Sequence, residues 1–208
     1  MQVDHLDAIR RTLLHKAAEK GDLETATRLV WCEGADATLR DNEGRTPLHM
    51  AAQNGHDEVC ATLLAAQGVD VHAKDIVEWT PLHNATLNGK SEVVRFLLEK
   101  GADATLRDKH GRTPLHFAAQ YGHEVLCATL LEAQGVDVNA KDNDEWTPLH
   151  LASLKGNAEV VRFLLEKGAD ATLRNIRGST PLDLTTNREI QQMLSKLKCT
   201  EVFRVSQS

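Results

Sequence analysis

Apolar positions recur along this chain in two short registers separated by polar punctuation. Leu48, Ala51 and Ala52 follow i, i+3, i+4 spacing, with Thr46-Pro47 ahead of them and Gly55 behind. Thr suits an N-cap because its hydroxyl can accept from the free N–H groups of the first turn. Pro at the first helical position gives up an N–H that has no helical partner, and Gly takes the left-handed conformation that ends a helix. The pattern predicts a short one-sided helix. Val59, Leu63 and Leu64, ahead of Gly68, predict a second. The stretch GVDVHAKDIVEW that follows alternates apolar residues with turn formers and predicts a hairpin-like loop. Helices this short do not persist alone in water, because nucleation is costly and few residues share the gain, so each pair must bury its stripe against another pair.

The pattern repeats. Thr46-Pro47-Leu48-His49 returns as Thr80-Pro81-Leu82-His83, Thr113-Pro114-Leu115-His116 and Thr147-Pro148-Leu149-His150. Thr12-Leu13-Leu14-His15 opens the series and Thr180-Pro181-Leu182-Asp183 closes it, the threonines lying 34, 34, 33, 34 and 33 residues apart. A fixed period of this size is the signature of stacked supersecondary units. A second period of 67 residues lies over the first: 78–107 matches 145–174 apart from five positions, among them Asn84/Leu151. Small residues at Ala51, Ala85, Ala118 and Ala152 allow close approach of helices.

TPLHxA at this spacing, followed by a Gly-ended helix and GADA or GVDV, resembles the ankyrin repeat. The resemblance covers about residues 9–198. It implies an all-α ankyrin-repeat solenoid of stacked helix-turn-helix units with projecting β-hairpin loops and a concave face. Five full repeats and a truncated last one are expected in a single domain, at about 9–40, 41–74, 75–107, 108–141, 142–174 and 175–198, with 199–208 as a tail. Leu13 and Asp183 depart from the motif at the two ends, as capping repeats do. Glu78 and Glu145 stand in the loop slot held by Gly44, Gly111 and Gly178, where a left-handed turn would strain a residue with a Cβ. Ile190, Met193 and Leu194, after an N-cap at Asn187, predict a capping helix over 188–198; Val202, Phe203 and Val205 leave the tail either packed, exposed to a partner or disordered.

Charge and composition narrow the function. The 208 residues carry net charge -6 and only eight aromatic residues, which disfavours both phosphate-backbone binding and base stacking. No apolar run reaches membrane-spanning length and the N-terminus lacks a signal-peptide core, so a cytoplasmic protein with no nucleic-acid or membrane partner is expected. The four cysteines, Cys32, Cys60, Cys127 and Cys199, have no metal or redox spacing and read as reduced thiols. The five histidines at 15, 49, 83, 116 and 150 occupy one repeated slot and read as architectural; the resemblance implies hydrogen bonding within and between repeats. No nucleophile–base pair, metal motif or phosphate loop occurs, and neither catalysis nor a cofactor is expected.

A scaffold of this kind acts by contact. Trp79 and Trp146 stand just before their helix-capping threonines, where Arg45 and Arg112 stand in alternate repeats, giving an Arg, Trp, Arg, Trp stripe of residue types common in binding hot spots. Met50, Asn84, Phe117, Tyr121 and Leu151 are expected beside it on the inner helices. These nine residues are the candidate contact set for a protein partner, with the chain itself expected to be monomeric. Alternatives are a self-assembling structural element, or a secreted adaptor directed at a host, since compact ankyrin chains occur in intracellular bacteria and their viruses as well as in eukaryotes. Leu131 with Asp137-Val138-Asn139 further resembles the acceptor loop of asparaginyl hydroxylation in ankyrin repeats, which would make Asn139 a modification site.

Overall fold

The computed structural model describes residues 4–7 and 11–205, with side chains through 196. Among these residues there are twelve helices and no strand. They fall into two compact units, Met1–Lys109 and His110–Ser208.

Unit 1 holds three helix pairs: α1 (Leu13–Lys20) with α2 (Leu23–Trp31), α3 (Pro47–Asn54) with α4 (Asp57–Leu64), and α5 (Pro81–Leu87) with α6 (Ser91–Glu99). Inner helices pack in the order α1, α3, α5 and outer helices in the order α2, α4, α6. Leu14, Leu48 and Leu82 from the inner row and Leu29, Leu63 and Leu97 from the outer row are fully buried. Burying one such side chain contributes about 1.5–3 kcal/mol, which the short helices could not gain singly. Ala51 and Ala85 are fully buried as well, so the inner helices meet across small residues.

Unit 2 repeats the arrangement with α7 (Pro114–Gln120) and α8 (Glu124–Leu131), α9 (Pro148–Lys155) and α10 (Ala158–Glu166), and α11 (Pro181–Leu184) and α12 (Arg188–Val205). α9 lies between α7 and α11, and α10 between α8 and α12. Ile190 and Leu194 of α12 are buried, as the capping-helix reading requires. The helix runs on to Val205 rather than ending near 198. The side chains of Val202, Phe203 and Val205, and residues 206–208, lie outside the described residues.

The repeated Thr and His work together. In each of the five units carrying His, the Thr backbone N–H donates to the His Nδ1, at 3.1 Å for Thr46 to His49. The Thr hydroxyl lies 2.9 Å from the same Nδ1 in the Thr46 pair, closing a capping box at the helix start. Because Nδ1 accepts, the proton sits on Nε2, and that nitrogen reaches into the next repeat. His15 donates to the Arg45 carbonyl at 3.1 Å and His49 to the Trp79 carbonyl at 3.0 Å; in unit 2, His116 donates to Trp146 and His150 to Ser179, each at 3.1 Å. One neutral imidazole therefore caps its own helix and ties down the following loop. Asp183 in the last repeat makes the capping bonds, accepting from the Thr180 N–H and hydroxyl, both at 2.8 Å.

The projecting loops close as tight turns, and among the described residues none carries a strand ladder. Asp75 N–H donates to the Trp79 carbonyl at 3.0 Å and Glu78 N–H to the Asp75 carbonyl at 3.0 Å, and Asp142, Glu145 and Trp146 repeat this. So few residues separate the ends that no second rung forms. Glu78 and Glu145 do take the left-handed conformation, at φ 63° and 59°, close to the 73° of Gly44 in the same slot. Each reaches back to a lysine, Lys74 to Glu78 at 2.9 Å and Lys141 to Glu145 at 2.7 Å. Left-handed backbone costs a residue with a Cβ about 1–2 kcal/mol, more than the exposed ion pair returns. Glu145→Gly is therefore expected to stabilise the chain by about 0.5 kcal/mol after the chain entropy of glycine is subtracted. Glu145→Ala keeps the strain, loses the ion pair and should not stabilise; thermal melting of the two variants separates these outcomes.

Cys60 and Cys127 sit in the buried stripes of α4 and α8, where burial pushes both thiols up to about 12 and keeps them protonated. Cys32 is exposed.

Candidate functional site

In three of the turns a carboxylate at the start fixes the residue that precedes the helix-capping Thr. In unit 1, Asp41 Oδ1 accepts from the Glu43 and Arg45 N–H groups at 2.9 Å, and Asp75 Oδ1 from Val77 at 2.9 Å and Trp79 at 2.8 Å. In unit 2, Asp142 Oδ1 accepts from Asp144 at 2.9 Å and Trp146 at 2.8 Å. The stripe residues Arg45, Trp79 and Trp146 are thus held at equivalent places by equivalent bonds.

Their side chains are not equivalent. Arg45 is half-buried and engaged: Nε and Nη2 meet Asp41 Oδ2 at 3.0 and 2.9 Å, and Nη1 meets Glu43 at 2.9 Å. Burial pushes the Asp41 carboxyl up, but the Arg45 bonds outweigh it and the group titrates below its ordinary range. Asp75 and Asp142 have Trp in the arginine's slot. For them burial prevails over the backbone N–H bonds, and both are raised. Trp79 is half-buried and its indole N–H donates to Asp108 Oδ2 at 3.0 Å, so it is fastened to the turn that follows. Trp146 is also half-buried, with its ring edge-on to His150 at 6.0 Å between centroids. Among the described residues its indole N–H has no acceptor.

On the inner helices the expectation needs correcting. Met50 and Phe117 are 2% exposed and Asn84 is 4% exposed, so these three belong to the core and not to a contact surface. Met50 lies on α3, which has an inner helix on each side, and its fourth-residue slot is covered; Arg112 stacks on the Phe117 ring with its guanidinium carbon 4.5 Å from the centroid. Leu151 holds the same slot on α9 but is only half-buried, and Leu154 one turn on is 45% exposed. The neighbouring α11 stops at Leu184, leaving the far end of α9 without an inner helix on that side. Tyr121 is 52% exposed and stacks near His123, with centroids 6.4 Å apart.

Sequence reasoning missed Leu154 and two isoleucines at turn tips, Ile76 in unit 1 and Ile176 in unit 2, exposed to 64% and 61%. The signal was present: the same tip slot holds Asn42, Lys109 and Asn143 in the other turns. Asn139 is half-buried in the loop after α8. Its Oδ1 accepts from the Asp170 N–H at 2.8 Å and its Nδ2 donates to the Gly168 carbonyl at 3.3 Å, a bridge between successive loops of unit 2. His72 makes the corresponding bridge in unit 1 to Gly101 and Asp103. Among the described residues no cluster of His, Cys, Asp and Glu is arranged to hold a metal ion, and no helix is long and apolar enough to cross a membrane.

A sequence profile described as Ankyrin repeats (3 copies) matches residues 2–75, 64–142, 105–175 and 129–199. The chain belongs to the ankyrin-repeat family. Over 110 residues it is 44% identical to Ankyrin repeat domain-containing protein 46 of Rattus norvegicus, and to the protein of that name from Mus musculus to the same extent. Each match takes in 51% of this ankyrin-repeat chain and 46% of the relative, so the chain spans about half the length of the curated relatives it matches. Ankyrin repeats generally mediate protein–protein interaction, and the paired helices and turns of both units are those of the family.

Proposed function

We propose that this ankyrin-repeat chain is a non-enzymatic module that binds a partner protein through the turn rim and inner helices of each unit. In unit 1 the surface comprises Ile76, Trp79 and Arg45. In unit 2 it comprises Trp146, Ile176, Leu151, Leu154, Tyr121 and Arg112. The observation that carries the reading is the exposure of aromatic and aliphatic side chains along this rim in unit 2, against a chain whose large apolar residues are otherwise mostly core.

Binding by occupancy makes the two tryptophans separable. Trp146→Ala is expected to weaken partner affinity by about tenfold or more and to lower the melting temperature less than Trp79→Ala, since its ring packs on His150 but its indole N–H holds nothing in place. Trp79→Ala removes the bond to Asp108 and should lower stability as well. Affinity capture from lysate by the wild type and by both variants, at matched helicity, tests this; equal recovery of every protein by all three forms rejects the surface.

Asn139 is the proposed acceptor if an asparaginyl hydroxylase meets the chain. Its amide bridge to Gly168 and Asp170 would have to open first. Intact mass after incubation with that enzyme should show one added oxygen, absent from Asn139→Ala; an unchanged wild-type mass ends the proposal.

A further inference from the structure

Four turns of this chain begin with Asp and one with Asn: Asp41, Asp75, Asp108 and Asp142 against Asn175. Asn175 does the same local work as the aspartates. Its Oδ1 accepts from the Arg177 and Ser179 N–H groups, both at 3.0 Å. Two amide donors fix which end of the carboxamide is oxygen, so the other end must be Nδ2. That nitrogen is buried and without a partner, in a side chain only 4% exposed.

The slot Nδ2 occupies has a known role one super-repeat earlier. Asp108 stands 29 residues after Trp79 and presents Oδ2 to the Trp79 indole at 3.0 Å. Asn175 stands at the same distance after Trp146. Where unit 1 pairs an indole donor with a carboxylate acceptor, unit 2 has an indole donor and a carboxamide donor in the corresponding slots of the sequence. Two N–H groups cannot satisfy each other, and the indole N–H of Trp146 indeed has no acceptor among the described residues. A buried donor left unpaired is costly, so Asn175 Nδ2, in the slot where unit 1 places the acceptor for its indole, calls for an acceptor that the unit does not supply.

We infer that Trp146 and Asn175 form a subsite for an oxygen acceptor carried by the partner, either a carboxylate or a main-chain carbonyl. The inference rests on the binding surface proposed above and names the chemistry recognised at one point of it. Ile176, exposed beside the pair, and Arg177, an exposed cation two residues from Asn175, supply an apolar and a charged flank. An extended acidic or apolar peptide segment laid across the turn would meet both. The difference between the tryptophans follows: Trp79 is spent on the fold and Trp146 is left for recognition.

The test needs no identified partner. In 1H–15N spectra of the full chain, acetate and N-methylacetamide are titrated separately while the indole N–H signals are followed. A saturable shift of the Trp146 signal with Trp79 unmoved supports the subsite, and the probe that acts at lower concentration identifies carboxylate or carbonyl. No selective shift with either probe overturns it. Asn175→Asp restores the acceptor found at Asp108, and four other turns already carry Asp, so the variant should fold. It is expected to move the Trp146 indole signal towards that of Trp79, raise the melting temperature and abolish the response to both probes. A variant whose Trp146 signal stays in place contradicts the pairing. Partner capture that fails while the probes still bind counts against the wider surface and leaves the subsite standing.

Discussion

His49→Ala is expected to destabilise the chain by about 3 kcal/mol, the largest loss from any single polar side chain of unit 1. His49 is fully buried and makes two kinds of contact at once. Its Nδ1 accepts from the Thr46 N–H at 3.1 Å, and its Nε2 donates to the Trp79 carbonyl at 3.0 Å, 30 residues on. Truncation leaves the buried Thr46 N–H unpaired, at a cost of about 1–3 kcal/mol, leaves the Trp79 carbonyl with the Asp75 N–H alone, and opens a cavity between α3 and the turn before α5. His49→Asn separates the halves. A short carboxamide can still accept from Thr46 but cannot reach Trp79, so it should recover about 1 kcal/mol. Urea unfolding of the three forms measures both steps. A loss under about 1 kcal/mol for His49→Ala would mean that the imidazole is not the tie described.

Stability should also fall steeply as pH drops from about 6.5 towards 4. Burial holds the His49 ring to about 4, against the ordinary 6.5, with the hydrogen bond to the Trp79 carbonyl opposing the shift; burial also lowers His15 and His150. In the unfolded chain these rings take a proton near pH 6.5, while in the folded chain they do not. The unfolded state therefore binds more protons through this window, and stability rises with pH across it, by up to about 1.4 kcal/mol per pH unit for each ring. The contribution is complete above about 6.5 and is lost as pH approaches 4, about 3 kcal/mol from His49 alone. Asp75 and Asp142, raised by burial, pull the other way above their ordinary range. Urea midpoints at pH 7.5, 6 and 5 should decline in that order. His49→Gln, which keeps an N–H donor but cannot titrate, should show a shallower decline, and a wild-type midpoint flat from 7.5 to 5 would contradict the neutral, buried imidazoles.

The helical repeats were legible because their signals are local. Thr-Pro starts and Gly ends need no knowledge of tertiary structure, and a slot filled by His in five successive units points to architecture whatever its partner. What the slot bonds to was out of reach of spacing alone, since the Nε2 acceptor is a backbone carbonyl some 30 residues away and any residue type supplies one. The rim was half legible. Trp79 and Trp146 occupy identical slots in nearly identical sequence, yet only one has an Asp to hold its indole, and that difference sits 29 residues downstream in the next turn. Met50, Asn84 and Phe117 look like exposed variable positions when repeats are compared, because core residues at a helix–helix contact also vary when their neighbours do. Leu151, in the same slot, is only half-buried, a difference that the spacing does not carry. Glu78 and Glu145 show the reverse case, where the expected strain is present and tolerated.

Amide hydrogen exchange of the chain, free and with its captured partner, tests the binding account most directly. The account predicts slowed exchange in the turns at 41–46, 75–80, 142–147 and 175–180 and along α9, with the outer helices α4, α6, α8 and α10 unchanged. Protection confined to those outer helices, with the turns exchanging as before, would contradict it.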